Sequence, residues 1–123
     1  MEPLSDSAVP SVCHLMVETM PIPAIVYDEN LIAYANPSMR ELLKADSEDQ
    51  VVGRSLLDFV HPEAHAGVRE RTRIVRDQEA HLRHVENRIL TCDGKAITVR
   101  FCVFPLRLGD QRMVGAFIED WDD

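Results

Sequence analysis

The side chains best suited to hold a metal or attack a substrate are three cysteines and five histidines. Cys13, Cys92 and Cys102 are odd in number and form no C-x-x-C pair, so their spacing supports neither a disulfide framework nor a structural zinc site. We interpret them as free thiols, which behave as small buried hydrophobes in a reducing compartment.

Enzyme signatures are absent from the sequence. It contains no G-x-S-x-G, no G-x-x-x-x-G-K, no H-E-x-x-H and no G-x-G-x-x-G pattern. Asp28, Asp58 and Glu86 have acid–base chemistry, but isolated carboxylates are far more often solvated surface groups. The sequence therefore predicts a protein without catalysis of its own.

Charge and length indicate how many domains the chain forms and which partners it is suited to bind. The 123 residues suit one domain, and the net charge is −8, with 13 basic against 21 acidic side chains. Acidic residues dilute the densest basic stretch, 69–76, so a nucleic-acid partner is not expected. No apolar run reaches the length of a membrane span and no signal peptide is present, which predicts a cytoplasmic domain without a membrane partner.

The pattern of residues in the first third of the chain predicts a helix followed by a hairpin. Helical spacing of apolar residues runs from Ser7 to Met20, where prolines end it. The stripe on this amphipathic helix comprises Val9, Val12, Cys13, Met16 and Met20. Two short β-like runs, 24–28 and 31–35, flank a turn at Asn30, and we expect that residue to take a left-handed conformation.

Helices are predicted in the middle of the chain. Asn36 and Pro37 are suited to cap and begin a helix that reaches about Ala45. A helical turn is expected within 47–52, and Ser55 is suited to cap a short helix. The longest helix, 62–77, carries one apolar stripe, formed by Ala64, Val68, Thr72 and Val75.

The last third changes to a period of two, which is typical of strands. Three strands are expected at 83–92, 95–106 and 111–121, with Asp93-Gly94 as a strong hairpin signal. Helices gathered between two groups of antiparallel strands indicate an α+β fold: a five-stranded antiparallel sheet with helices packed on one face, preceded by the N-terminal amphipathic helix.

Several short segments in this order resemble the PAS family. They are Ile25–Asp28 with Leu31–Asn36, Val52–Leu56, Phe59–Glu63, Arg88–Gly94 and Phe117–Asp120, spread over about residues 15–120. Two positions depart from the family pattern, because Asn30 and Lys44 stand where glycine is usual. We therefore divide the chain into residues 1–20, a tail and a capping or dimerisation helix, and residues 21–123, a PAS sensory domain.

The resemblance implies a sensory module of a signal-transduction protein such as a two-component system. PAS domains usually relay the state of a ligand or partner to an output domain, and they often dimerise through an N-terminal helix. We expect a homodimer, with packing of the helix on its own sheet left open as the alternative. The output domain, such as a kinase or cyclase, is expected outside this chain, in cis or in trans.

Cofactor chemistry is not evident from the residues. A flavin-thiol light sensor of this family needs a cysteine just after the glycine step, and residues 53–59 contain none. A haem sensor needs a histidine that projects from the long helix, for which His65 is the candidate and a half-exposed surface histidine the alternative. We expect neither cofactor and no metal.

A small apolar ligand pocket is the more plausible site, with simple core filling as its alternative. The predicted lining comes from the inner sheet face and the central helices: Val26, Leu56, Phe59, Val60, Val68, Thr72, Asn87, Ile89, Val99, Arg100, Phe101 and Ile118. Asn87 and Arg100 are expected at the pocket mouth.

The second fold considered is a cone-shaped α+β barrel of similar size, which hosts isomerases and dehydratases. Such a fold usually places its longer helices before its strands. Here two strands precede the main helices, and this order favours the sensory fold.

Overall fold

The computed structural model describes residues 8–29 and 31–122, and it confirms the predicted order of elements. The helices are α1 Ala8–Thr19, α2 Pro37–Leu42 and α3 His65–Gln78. Short 3₁₀ turns occupy Glu48–Gln50, Leu56–Phe59 and Pro62–Ala64. The strands are β1 Ala24–Tyr27, β2 Ile32–Ala35, β3 Leu82–Leu90, β4 Ala96–Leu108 and β5 Gln111–Asp122.

The strands form one antiparallel sheet in the order β2-β1-β5-β4-β3. The last strand of the sequence is therefore central, because β5 pairs with β1 on one side and with β4 on the other. The β4–β5 ladder is long, running from Thr98 opposite Asp122 to Leu108 opposite Gln111.

The core lies between the inner face of this sheet and the helices that follow β2. On α3 the buried residues are Val68, Thr72 and Val75, three of the four predicted stripe residues, while Ala64 is half-buried. The predicted fold is thus confirmed: an α+β domain with helices packed on one face of a five-stranded antiparallel sheet.

Helix α1 contacts the opposite face near β2. The His14 ring lies 5.4 Å from the Tyr34 ring, and the Tyr34 hydroxyl donates a hydrogen bond to the Glu18 carboxylate. Ala35, the next residue on β2, is fully buried in the core, as expected from the alternation of side chains along a strand.

Asn36 caps α2 as predicted, and it also joins three other segments. Its Oδ1 accepts hydrogen bonds from the backbone N–H groups of Met39 and Ala24, each at 2.9 Å. Its Nδ2 donates to the carbonyls of Val17 and Ile22, each at 2.9 Å. One buried side chain therefore fixes α1, the following linker, β1 and α2 relative to one another.

Turn residues explain where the elements end. Lys44 has a φ of 59°, in the left-handed region that glycine occupies without a steric penalty. Gly94 has a φ of 85° in the predicted β3–β4 hairpin. Asn30 lies outside the described residues, and the division of the chain at residue 20 stays a prediction.

No helix among the described residues has both the length and the apolar character needed to span a membrane.

Candidate functional site

A cavity of about 50 Å³ lies between the inner face of the sheet and α3. Its walls combine apolar side chains with a few polar groups from β1, α3 and β3. The lining residues are Ile25, Tyr27, Met39, Leu56, Val60, Val68, Arg71, Asn87, Ile89, Val99, Phe101, Ala116 and Ile118. Sites for drug-sized ligands usually measure roughly 300–1,000 Å³, so this cavity suits a much smaller molecule.

The structure brings together eight of the residues predicted to line a pocket. They are Leu56, Val60, Val68, Asn87, Ile89, Val99, Phe101 and Ile118. That these residues also bind a ligand stays a prediction.

Two predicted lining residues lie on the other face of the sheet. Val26 is half-buried there, opposite Tyr34 and Gly115, and its neighbours on β1 line the cavity instead. Arg100 is exposed and pairs with Glu119 at 4.0 Å and Asp120 at 3.6 Å. Successive side chains of a strand point to opposite faces, so Phe101 faces inward and Arg100 outward.

Two further predicted residues are buried but lie away from the cavity wall. Phe59 belongs to the core at the end of its 3₁₀ turn. The Thr72 hydroxyl donates to the carbonyl of Val68 at 2.7 Å, one turn earlier on α3. Both therefore support the residues around the cavity without lining it.

Five residues of the cavity wall lie outside the predicted set, and Arg71 is the charged one; the others are Ile25, Tyr27, Met39 and Ala116. Arg71 belongs to the basic stretch 69–76, yet its guanidinium carbon lies 5.6 Å from the centre of the Phe101 ring and its side chain is half-buried. Its position three residues after Val68 was the available signal, because residues three apart share a helix face.

Asn87 lies between Arg71 and the surface. Oriented with its oxygen toward Arg71, the Asn87 amide accepts a hydrogen bond from Arg71 Nη1 at 3.0 Å and donates one to the Glu86 carbonyl at 3.0 Å. Asn87 also lines an open surface groove of about 420 Å³ beside His61 and Thr98. Asn87 therefore lies where the cavity and the surface groove adjoin.

Tyr27 places a phenol on the cavity wall. Burial raises the pKa of Tyr27 to about 12, although the positive charge of Arg71 and a hydrogen bond with Thr72 lower it. The phenol therefore keeps its proton near neutral pH and serves as a hydrogen-bond donor.

Replacing Tyr27 with phenylalanine is expected to reduce the sensitivity of stability to alkaline pH. The phenol titrates near pH 10 in the unfolded chain and near 12 in the folded one. The contribution of the Tyr27 phenol to the free energy of unfolding is therefore complete below pH 10, and it declines by roughly 1.4 kcal/mol per pH unit as the pH rises toward 12. Urea unfolding across this range should show the steeper decline in wild type. Tyr34 is present in both proteins, so its titration affects wild type and Tyr27→Phe equally. Equal declines in the stability of the two proteins would contradict the raised pKa of Tyr27.

His65, the haem-ligand candidate, does not line the cavity. Its Nε2 lies 2.8 Å from the Val60 carbonyl oxygen, at the junction between the 3₁₀ turn and α3. Among the described residues, no three His, Cys, Asp or Glu side chains are grouped so that they could hold a metal ion.

The dimer-helix candidates are only partly described. Met16 is 62% exposed and Met20 is half-buried, while Leu15, which the prediction omitted, is also 62% exposed. The side chains of Val9, Val12 and Cys13 lie outside the described residues. Helix α1 thus presents at least two large apolar side chains to solvent.

Comparisons with known proteins agree with this architecture. The model of the PAS fold matches residues 13–121. Sporulation kinase A of Bacillus subtilis (strain 168) is 34% identical over 64 residues, which make up 52% of this chain and 10% of the kinase. The chain thus spans about a tenth of the length of this curated relative.

Solved structures share the same fold at low sequence identity. The PAS domain of an HTR-like protein from Haloarcula marismortui is 19% identical, with a TM-score of 0.75 and 93% of each chain covered. A domain of a sensory box sensor histidine kinase/response regulator from Geobacter sulfurreducens is 15% identical, with a TM-score of 0.70 and coverage of 92% of this chain and 96% of that one.

The fold and the cavity define a small α+β domain with a site between its sheet and its helices. The match over residues 13–121 identifies it further: this chain belongs to the PAS family.

Proposed function

We propose that this chain is the sensory module of a signal-transduction protein and that the state of its cavity is relayed to an output domain. The observation that carries the proposal is the wall of the cavity. Apolar side chains surround three polar groups that converge on one space, from Tyr27, Arg71 and Asn87. Small-ligand sites have this composition, because apolar walls supply affinity and a few polar groups fix orientation.

The names of similar proteins support the signalling role. Sporulation kinase A is a kinase by name, and the Geobacter sulfurreducens protein is a sensor histidine kinase/response regulator. Because this chain matches only a small part of such a kinase, we place the output domain outside it, in cis or in trans.

We propose that the module acts by binding and carries out no catalysis. The polar groups of the cavity are a guanidinium, an amide and a phenol that keeps its proton near neutral pH. Such groups hold and orient a ligand, whereas general acid–base catalysis needs a group that titrates near the working pH.

The proposal includes no haem and no flavin. The cavity of about 50 Å³ is far smaller than either group, and iron ligation by His65 would break its contact with the Val60 carbonyl. An absorption spectrum of the purified protein with a Soret band or flavin bands would overturn this part.

A cytoplasmic homodimer formed through α1 is also part of the proposal. The exposed Leu15 and Met16 support the dimer, because burial of apolar side chains drives association. The free thiols of Cys92 and Cys102 are consistent with a reducing compartment. Sedimentation should give a dimer for wild type and for Leu31→Asp, a control on the hairpin, but a monomer for Met16→Asp. A monomeric wild type at high concentration would contradict this part.

The relay is tested by fusing residues 8–122 to the catalytic region of a sensor histidine kinase and measuring autophosphorylation. Phe101→Leu alters the cavity and is expected to change the activity about fivefold or more, within the usual range of coupling between sites. Arg69→Gln, on the exposed side of α3, is the control and should leave the activity unchanged. Equal activities for all three fusions would refute the relay.

A further inference from the structure

The charge balance around Arg71 identifies a class of ligand. Three arginines in the described part of the chain are half-buried: Arg40, Arg71 and Arg76. Arg40 pairs with Glu18 at 3.9 Å, and Arg76 pairs with Glu29 at 3.1 Å and Asp77 at 2.8 Å. Arg71 forms no ion pair with any described carboxylate, although the chain carries a net charge of −8.

The contacts given for Arg71 among the described residues are with uncharged groups. Its guanidinium lies over the Phe101 ring and donates to the Asn87 amide oxygen. Burial lowers the pKa of Arg71, and the proximity of Tyr27 raises it. Arginine nevertheless remains protonated in proteins, so the cavity wall holds a partly desolvated positive charge that has no counter-charge among the described residues.

We propose that this cavity binds a small organic monocarboxylate whose carboxylate group pairs with Arg71. A planar guanidinium binds a carboxylate through two parallel hydrogen bonds, and the pair is stronger where water is excluded. The Tyr27 phenol lines the same cavity and supplies a further donor. The inference rests on the proposed function, since it takes the cavity to be the ligand site.

The size of the cavity limits the rest of the ligand. A group the size of a water molecule needs about 10–15 Å³ of cavity volume. A cavity of about 50 Å³ therefore holds roughly four groups of that size. A carboxylate with a chain of one or two further carbons fills that space. Apolar neighbours such as Val68, Val99 and Ile118 favour an alkyl tail over a second charged or hydroxylated group.

Asn87 marks the route of entry. It lines both the cavity and the surface groove of about 420 Å³ next to His61. A rotation of its side chain would release Arg71 Nη1 and open the wall at this point. The carboxylate oxygen would then take the place of the amide oxygen as the acceptor for Arg71.

The experiment is calorimetric titration of the full chain with sodium propionate and sodium acetate. Propionate should bind, and Arg71→Gln should weaken binding by about tenfold or more, the usual effect of losing a charged hydrogen-bond partner. Arg71→Lys keeps the charge without the bidentate geometry, so an intermediate loss is expected. Arg69→Gln, exposed on the same helix, is the matched control and should bind like wild type. Thermal unfolding of each variant verifies that it is folded.

Other outcomes separate this inference from the proposed function. If 1-propanol binds as well as propionate and Arg71→Gln changes neither, the cavity is an apolar site, and the carboxylate inference fails while ligand sensing stands. If inorganic phosphate binds through Arg71 better than propionate, the carboxylate class is refuted. If wild type binds none of these probes and the kinase fusions respond to Phe101→Leu, the carboxylate inference alone fails.

Discussion

Replacing Asn36 with alanine is expected to lower the free energy of unfolding by about 3–5 kcal/mol. The side chain is 0% exposed and makes all four of the hydrogen bonds available to an amide. Alanine removes every one of them at once.

The physical reason is the number of backbone groups left without partners. The N–H groups of Ala24 and Met39 lose their acceptor, and the carbonyls of Val17 and Ile22 lose their donor. A buried polar group without a partner costs about 1–3 kcal/mol. Water can reach the carbonyl side of the site, since Ile22 is exposed, and this keeps the total below the sum of four such losses.

Urea unfolding of Asn36→Ala and of a control variant measures the effect. Ser38→Ala removes a single exposed bond, from the Ser38 hydroxyl to the Pro21 carbonyl at 2.7 Å, across the same linker. The free energy of unfolding of Ser38→Ala should stay within about 0.5 kcal/mol of wild type, as for most surface substitutions. Asn36→Asp keeps the two acceptor bonds but sets a charged oxygen against the carbonyls of Val17 and Ile22, so it should not restore the stability lost in Asn36→Ala. If Asn36→Ala and Ser38→Ala are equally stable, Asn36 does not join these segments.

Phe101→Ala is expected to lower the free energy of unfolding by about 3–5 kcal/mol, the usual range for truncating a buried phenylalanine. Its ring is 8% exposed and forms part of the wall of a cavity that already holds about 50 Å³. Alanine would enlarge that cavity, and the neighbours on β3 and β5 are held by ladder hydrogen bonds that limit collapse. Arg71 would also lose the aromatic face beneath its guanidinium.

Phe104→Ala is the matched control, on the same strand but on the outer face. Its ring is half-buried and packs at 5.2 Å from Phe117, so a loss of about 1–2 kcal/mol is expected. Thermal or urea unfolding of both variants gives the comparison. A loss at Phe101 no greater than that at Phe104 would show that the inner ring is not part of a packed cavity wall.

Local signals in the sequence predicted most of the fold, because they depend only on neighbouring residues. The Asn36 cap, the Ser55 cap and the Asp93-Gly94 turn all appear as predicted. The stripe on α3 was also found, since a helix repeats every 3.6 residues whatever surrounds it. These pieces, in this order, were enough to indicate the PAS family.

The candidate site was harder to predict, because long-range pairing decides which face of an element is buried. Every residue of Ala24–Tyr27 is apolar, so the alternation that would distinguish Val26 from Ile25 and Tyr27 is absent. Arginine has an apolar stem and a charged head, so the helical spacing of Arg71 from Val68 does not by itself decide whether its side chain faces inward or reaches solvent.

The sequence by itself therefore determined the elements, their caps and turns, and the α+β class, all of which follow from the geometry of a few adjacent residues. Only the tertiary structure decided the central place of β5, the four partners of Asn36, and the meeting of Arg71, Asn87 and Phe101 at one cavity. Those features join residues far apart in the chain, and no local periodicity records them.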